Sequence, residues 1–402
     1  MLSVEKIDRW DAFVALKGEW DDLLARCLHR TPFLTHDWMM VWWKHFGVGK
    51  ELCVLVLREQ GRAVLIAPMM KHWGQFYERL LTIPVLAIDT MANYHSNRAD
   101  WVYAELRREY VEALWEHILN HERWHLLRLY PILAESPTVA ELQRLIARRH
   151  IHATSLHDQT SPYLLMTQAW PAYVRHLPHQ ITRYVKKAQR LLADRQLSVE
   201  LHTHPDDVDA LMSQLFTIAE KGWASTRGTA ISANEQLRGF YTDLMHLANQ
   251  RDWLLISLLK DKQNPIAFEY NLRYEQTIYN LKIAYDPAVA QYRPGHVLRY
   301  LTLSSVFDHQ SQFREFDFLG DALAHKLLWT QQTRPHIKLS LYHPRHPYAQ
   351  FLYYLQTKFL LPVKSHLVRA LGATERTPVW LSNLILRLFP HEQIGCKPRQ
   401  AA

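Results

Sequence analysis

This sequence is poor in the residues that mark several common chemistries. It has three cysteines in 402 residues, Cys27, Cys53 and Cys396, too far apart for a C-x-x-C pair or a metal-ligand spacing. That excludes a disulfide framework and a zinc ribbon, and it fits a reducing compartment. Only twelve glycines are present. None stands in a G-x-x-x-x-G-K-[ST], G-x-S-x-G or G-x-G-x-x-G pattern, which removes the P-loop, the nucleophile elbow and the dinucleotide fingerprint. No apolar run approaches the ~18 residues that would span a bilayer. The opening MLSVEKIDRWDAF carries acidic residues where a secretory signal needs an apolar stretch. A cytoplasmic protein is the expectation.

What is present points to a globular chain of two sizeable cores. Apolar residues make up 48%, with fourteen tryptophans and no low-complexity tract. The formal charge of +8 favours anionic partners, whether cofactor phosphates, nucleotide sugars, RNA or a membrane surface. The same excess spread over 402 residues is also an ordinary solubility feature. Two motif-like stretches have plainer explanations. His121-Glu122-Arg123-Trp124-His125 matches H-E-x-x-H, but zinc binding needs both histidines on one face of a continuous helix. Here a helix is expected to end and a strand to begin, and no metal is assigned. Asp206-Asp207-Val208-Asp209 follows Pro205 and opens a helix, where capping accounts for the carboxylates.

Taken in order, the chain gives two similar halves. Helices are expected over Asp8–His29 and from Thr35 or His36 to Phe46, with Thr35 as N-cap. Strands follow at Glu51–Arg58, Arg62–Met70 and Leu80–Ile88, then a helix over Arg107–Asn120, a strand at Trp124–Leu129 and a helix over Thr138–His150. The second half repeats the theme with helices over Val208–Ala219 and Asn234–Asn249. A hairpin follows, Trp253–Leu259 with Pro265–Arg273, in which PIAFE (265–269) matches LIAPM (65–69). Between the halves, Arg183, Lys186, Lys187 and Arg190 form one basic helical face, either simply solvated or in contact with an acidic acceptor or coenzyme phosphates. Past Pro344, Tyr348–Leu371 reads as an amphipathic helix and Val379–Phe389 as a short apolar one, and both pack back on the protein or lie on a membrane surface.

One stretch, Thr277–Trp329, carries most of the functional signal. Thr277–Tyr285 reads as a buried strand ended by Asp286-Pro287. Gln291-Tyr292-Arg293-Pro294-Gly295 then leads into a helix, with Val297, Leu298, Leu301, Val306 and Phe307 on its apolar face. Phe313–Leu319 is a second expected strand. A turn feeding a helix start is a ready anion site, because the first amides lack intrahelical acceptors and the macrodipole is positive there. Gly295 permits close approach and Arg293 adds charge. The alternative is a plain strand-to-helix turn.

The order of elements from Asp206 to Leu319 resembles the GNAT acyltransferase superfamily. The stretches KGWASTRG (221–228), PIAFEYNL (265–272), YNLKIAYDPAVAQYRPGHVL and EFDFLGDALAHKLLW resemble its FemAB-like subgroup, including CelD-type acetyltransferases of polysaccharide synthesis. Gln291-x-x-Pro294-Gly295 sits where the superfamily carries Q/R-x-x-G-x-G/A, with one glycine in place of two. The resemblance implies a mixed α/β fold of tandem GNAT-like domains: 1–165 degenerate, 166–345 catalytic, and a helical tail at 346–402. It also implies acetyl-CoA or another acyl-CoA as co-substrate, resting on Ile283, Ala284, Gln291, Arg293, Gly295, His296 and Val297. The first half lacks such a turn after its matching strand, at Met91–His95, and so is expected to shape the acceptor side.

Acyl transfer needs a positioned nucleophile, a donor for the oxyanion and a route for protons. The GNAT likeness places a backbone N–H donor on Asn280–Ala284. Candidate side chains are Asp317, Asp321, Lys326 and Glu269. Asp321 is equally well read as a helix cap, and Lys326 as an oxyanion donor, a ligand of acceptor phosphate or an ion-pair partner. Burial of Glu269 in the cleft would raise its pKa. The implied acceptor is an amine or hydroxyl on a small molecule, sugar, sugar nucleotide or cell-envelope precursor, with no DNA partner. Two alternatives stand beside it: transfer from an aminoacyl-tRNA, and a non-catalytic partner in a polysaccharide-synthesis complex. Peripheral contact with the inner face of the membrane is a further expectation for the tail.

Overall fold

The computed structural model describes residues 1–77, 81–195, 197–222, 230–309 and 312–362. The first half runs β1 (Leu2–Ile7), α1 (Trp10–Ala15), α2 (Lys17–Leu24), α3 (His36–Phe46), β2 (Glu51–Leu52), β3 (Val54–Glu59), β4 (Arg62–Ala67), β5 (Met69–Tyr77) and β6 (Leu81–Thr90). It continues with β7 (Val102–Tyr103), α4 (Arg108–His121), β8 (Leu126–Leu133), α5 (Pro137–Arg149) and β9 (Ala153–Leu165). After α6 (Trp170–His176) and α7 (His179–Arg195), the second half runs β10 (Leu197–His202), α8 (Val208–Lys221), α9 (Glu235–Gln250), β11 (Leu254–Asp261), β12 (Asn264–Tyr274) and β13 (Thr277–Tyr285). It closes with α10 (Pro294–Asp308), β14 (Glu315–Asp317), α11 (Ala324–Leu327), β15 (Thr333–Tyr342) and α12 (Pro347–Tyr354).

Most expected elements stand where the periodicity places them, and their caps explain the boundaries. The side chains of Thr35, Asp207 and Asn234 accept from the backbone N–H groups of Trp38, Ala210 and Leu237, fixing the starts of α3, α8 and α9. Asp8–His29 is not one helix. The chain pivots at Leu16 (ψ −11°), between α1 and α2, which lets Phe13 and Trp20 meet edge to face at 6.0 Å in a shared core. Phe313–Leu319 also falls short of a full strand. Only Glu315–Asp317 pairs, because Leu319 and Gly320 take positive φ (49° and 52°) and turn the chain away.

The strands form a four-stranded sheet, β1-β3-β4-β7, and an eleven-stranded sheet, β10-β11-β12-β13-β14-β9-β15-β8-β6-β5-β2. The centre of the large sheet interlocks the halves. β9, the last strand of the first half, pairs with β14 of the second, and β15, the last strand of the second half, pairs with β8 of the first. Helices of both halves share one core: Phe240 on α9 lies 5.8 Å from Trp38 and 4.9 Å from Phe46 on α3. Among the described residues no helix is long and apolar enough to cross a membrane. The expected helix over 379–389 lies outside the described residues, as do most of KGWASTRG and Cys396.

Candidate active site

The site begins with a strand that loses its neighbour. β13 pairs in parallel with β14 only through Thr277, Ile278 and Tyr279, against Glu315, Phe316 and Asp317. From Asn280 onward the two strands diverge. On its other edge β13 pairs with β12, with Asn280 opposite Asn271 and Lys282 opposite Tyr270. Leu281 is therefore the extra residue of a β-bulge, placed two residues beyond the last pair with β14. A bulge re-aims backbone groups and turns the following side chains to the other face. Asn280 accordingly faces α10, whereas the Lys282 ammonium lies 5.7 Å from the Tyr241 ring on α9.

Arg299 of α10 holds the split from beneath. Its Nε donates to Glu269 Oε1 on β12 (2.6 Å) and its Nη2 to Asn280 Oδ1 on β13 (2.7 Å). Its guanidinium also packs 4.9 Å from the rings of Phe316 and Phe318 at β14. One side chain thus ties three strands together where the sheet opens. This corrects the reading of Glu269 as a cleft base. Burial raises its pKa, as anticipated, but the carboxyl is wholly enclosed and faces Arg299.

The helix start forms one wall. Asp286 accepts from Ala288 N–H (2.9 Å) and pairs with Lys221 (3.0 Å), turning the chain into a short 3-10 segment, Pro287–Tyr292, that contains Gln291. Arg293 then adopts a left-handed conformation (φ 54°, ψ 48°), and its carbonyl accepts from His296 N–H and Val297 N–H. The Arg293 guanidinium sits 5.5 Å from the Tyr184 ring of α7, and His296 lies between Tyr184 (5.7 Å) and Trp329 (6.1 Å). Burial, then Arg299 and Arg293, push His296 down to about 4, so it is neutral at physiological pH. A Cβ at Gly295 would stand 3.6 Å from carbons of Ile283 and Tyr285. The glycine is thus not required by packing, and what it leaves open is the surface above Ile283 on the free edge of β13. Ala284 and Val297 are buried beneath that surface.

The opposite wall is the chain after β14. Asp317 is fully buried, pairs with Arg98, lies 3.6 Å from Arg334 and accepts from Leu319 N–H at 2.8 Å. It holds the turn in place and is enclosed rather than presented to the cleft. Asp321 is exposed and does not cap α11, whose N-cap is Leu323; the helix begins two residues later than the cap reading requires. Lys326 does reach the site: its Nζ donates to Leu319 C=O at 2.6 Å. Burial, followed by Arg299, lowers its pKa to about 8. Gly320→Ala is expected to destabilise by ~1–2 kcal/mol, since φ is 52° and the new Cβ would stand 3.3 Å from Lys326 Nζ. A thermal unfolding curve superimposed on that of the parent protein would contradict this.

The first half closes the far end, through residues that motif reading missed. Asn97 Oδ1 accepts from Gly320 N–H (3.2 Å), Arg98 pairs with Asp317, and His95 Nδ1 shares a 2.8 Å hydrogen bond with Tyr241 Oη. These partners lie 146 to 223 positions apart, so no local pattern could announce them. The first half has its own parallel pair, β6 with β8 over Ala87–Asp89, but there the gap is laced shut. Thr90 Oγ1 donates to Tyr130 C=O (2.6 Å) and Ala99 N–H to Pro131 C=O (2.9 Å). The H-E-x-x-H stretch is divided as its sequence suggests: α4 ends at His121, and Glu122 pairs with Lys6 and Lys71.

The strand split, the bulge and the helix start all fall within one segment that matches a known family. Residues 179–327 match the family described as Acetyltransferase (GNAT) domain. In fold the whole chain is similar to the crystal structure of FemX (11% identity, TM-score 0.56), covering 87% of this chain and all of that one. A conserved protein of unknown function from Bacteroides thetaiotaomicron VPI-5482 is similarly related in fold (12% identity, TM-score 0.53), over 85% of this chain and all of that one. No curated protein matches the sequence.

Proposed function

We propose that the protein is an acyl-CoA-dependent acyltransferase, with acetyl-CoA as the first candidate donor. Its acceptor would be an amine or hydroxyl of a sugar, sugar nucleotide or cell-envelope precursor. The observation that carries this reading is the split between β13 and β14 with its bulge at Leu281, set against the start of α10. The pantetheine enters the split and pairs with the free edge of β13, while the pyrophosphate meets Gly295 and Arg293 at the helix start. The thioester carbonyl then faces the backbone N–H groups at the bulge, which are fixed before reaction and suited to an oxyanion. The acceptor nitrogen or oxygen bonds to the acyl carbon, the carbon–sulfur bond breaks, and the coenzyme leaves as a thiolate. The acceptor gives up one proton and the thiolate takes one up. Lys326, which donates to the turn at Leu319 C=O and whose pKa burial lowers to about 8, is assigned to that transfer.

Transfer from an aminoacyl-tRNA is supported by a separate observation. Arg183, Lys186 and Arg190 are exposed on α7, on the helix whose Tyr184 meets Arg293, and so extend the positive wall toward a polyanion. Incubation with radiolabelled acetyl-CoA or with charged tRNA, each with glucosamine and UDP-linked amino sugars, separates the two readings. Label passing to an amino sugar from acetyl-CoA is the expected result. Turnover from charged tRNA alone would replace it, and turnover from neither would leave a non-catalytic member of the fold.

A further inference from the structure

A cavity of about 260 Å³ lies in the first half, between the segment 27–34, the segment 98–106 and the turn at 133–137. Its wall is mostly apolar, from Leu34, Ala104, Leu106 and Leu133 together with the rings of Trp101 and Tyr103, and its mouth opens between exposed Leu28, His29 and Glu105. The proposed transfer reaction uses none of these residues. At 260 Å³ the space is somewhat smaller than pockets that hold drug-sized molecules, and suits a compact ligand.

Asp100 is among the lining residues. Oδ1 accepts from Trp101 N–H (2.7 Å) and Thr138 Oγ1 (2.5 Å), and Oδ2 accepts from Ser136 Oγ (2.5 Å). A carboxylate has room for about four such bonds, so Oδ2 retains acceptor capacity. Three internal donors hold the group rigid, and no Lys or Arg pairs with it among the described residues. Arg98, the cation that lines the same cavity, is committed elsewhere: to Asp317, Ser161, His336 and the Asn97 carbonyl. Glu105, at the mouth, is already paired with Arg107 at 3.2 Å. The enclosure is therefore apolar in body and acidic at one fixed point.

We propose that this cavity binds a compact molecule bearing a primary ammonium, with its apolar body against Trp101 and Tyr103 and its ammonium on Asp100 Oδ2. An ammonium supplies the cation that a buried carboxylate otherwise lacks. The aromatic walls suit the adjoining carbon skeleton and the charge itself. The adjacent residues Asn97 and Arg98 anchor Gly320 and Asp317 in the second half, so the occupied pocket sits one turn of chain from the transfer site. The proposal stands independently of the coenzyme reading, because the groups assigned to the ligand, Asp100, Trp101 and Tyr103, take no part in the split.

The test uses the full chain and three probes of one shape: benzylamine, benzyl alcohol and benzoate, titrated by ligand-observed NMR. Benzylamine is expected to bind at least tenfold more tightly than benzyl alcohol, with benzoate weaker than both. Asp100→Asn is expected to erase the advantage of the amine, and Ala104→Trp, which fills the space from its wall, to abolish binding of all three. Thermal unfolding reports whether each variant is folded. Equal binding of amine and alcohol by the parent protein overturns the proposal, as does benzylamine binding unchanged in either folded variant. If neither variant folds, the ranking of the three probes on the parent protein decides.

Discussion

Arg299→Ala is expected to lower the free energy of unfolding by ~3–5 kcal/mol, the cost of leaving a buried carboxylate without its partner. Glu269 is fully buried and faces Arg299 at 2.6 Å, and Asn280 loses its second hydrogen-bond partner in the same variant. The double variant Arg299→Met, Glu269→Gln is expected to recover part of the loss, since no charge is then stranded. Urea unfolding of the three proteins measures this. Additive losses in the double variant would show that the pair does not act as a unit. Because Arg299 also packs on Phe316 and Phe318, loosening it should disturb the strand split before the rest of the sheet.

The second large effect is expected from Lys326→Met. If the ammonium or amine at this position handles the proton or the developing charge, kcat should fall about a hundredfold with little change in the KM for the acyl donor. A stability measurement checks the electrostatics separately. Burial lowers the folded-state pKa of Lys326 to about 8, while an unfolded lysine titrates near ~10.4. Below pH 8 both states carry the proton and the folded protein bears the full penalty of a buried ammonium. As pH rises toward ~10.4 the folded state is already neutral, and the penalty fades. The stability of the parent protein relative to Lys326→Met should therefore improve across that window. A constant difference from pH 7 to 10 would mean that Lys326 is not desolvated.

These effects also mark how far the sequence could be read. Strands and helices with strong periodicity and polar caps were legible, as at Thr35, Asp207 and Asn234, because cap and pattern are local. The turn at Gln291–Val297 was legible for the same reason, and the structure places it beside the free edge of β13. The roles of the carboxylates were not. Asp317 looked like a base at a strand end, but its partner Arg98 lies 219 residues away. Glu269 alternates as a cleft residue would, yet Arg299 meets it from a helix whose apolar spacing gave no sign of a buried cation. Leu281 is silent in sequence because a bulge depends on register between two strands. The pivot at Leu16 and the shortness of β14 likewise follow from packing rather than propensity.

The central claim is that the second-half split receives an acyl-CoA, and calorimetric titration of the purified protein with acetyl-CoA tests it most directly. Gly295→Asp is the decisive variant. Its Cβ fits, with the nearest carbons at 3.6 Å, and a carboxylate at a helix start is mildly stabilising, so the fold should persist. The same carboxylate stands where the pyrophosphate would rest. The account predicts micromolar binding by the parent protein and at least a tenfold loss in Gly295→Asp, with unfolding temperature maintained. Equal affinity in the two proteins, or no heat from either at any reachable concentration, would contradict it.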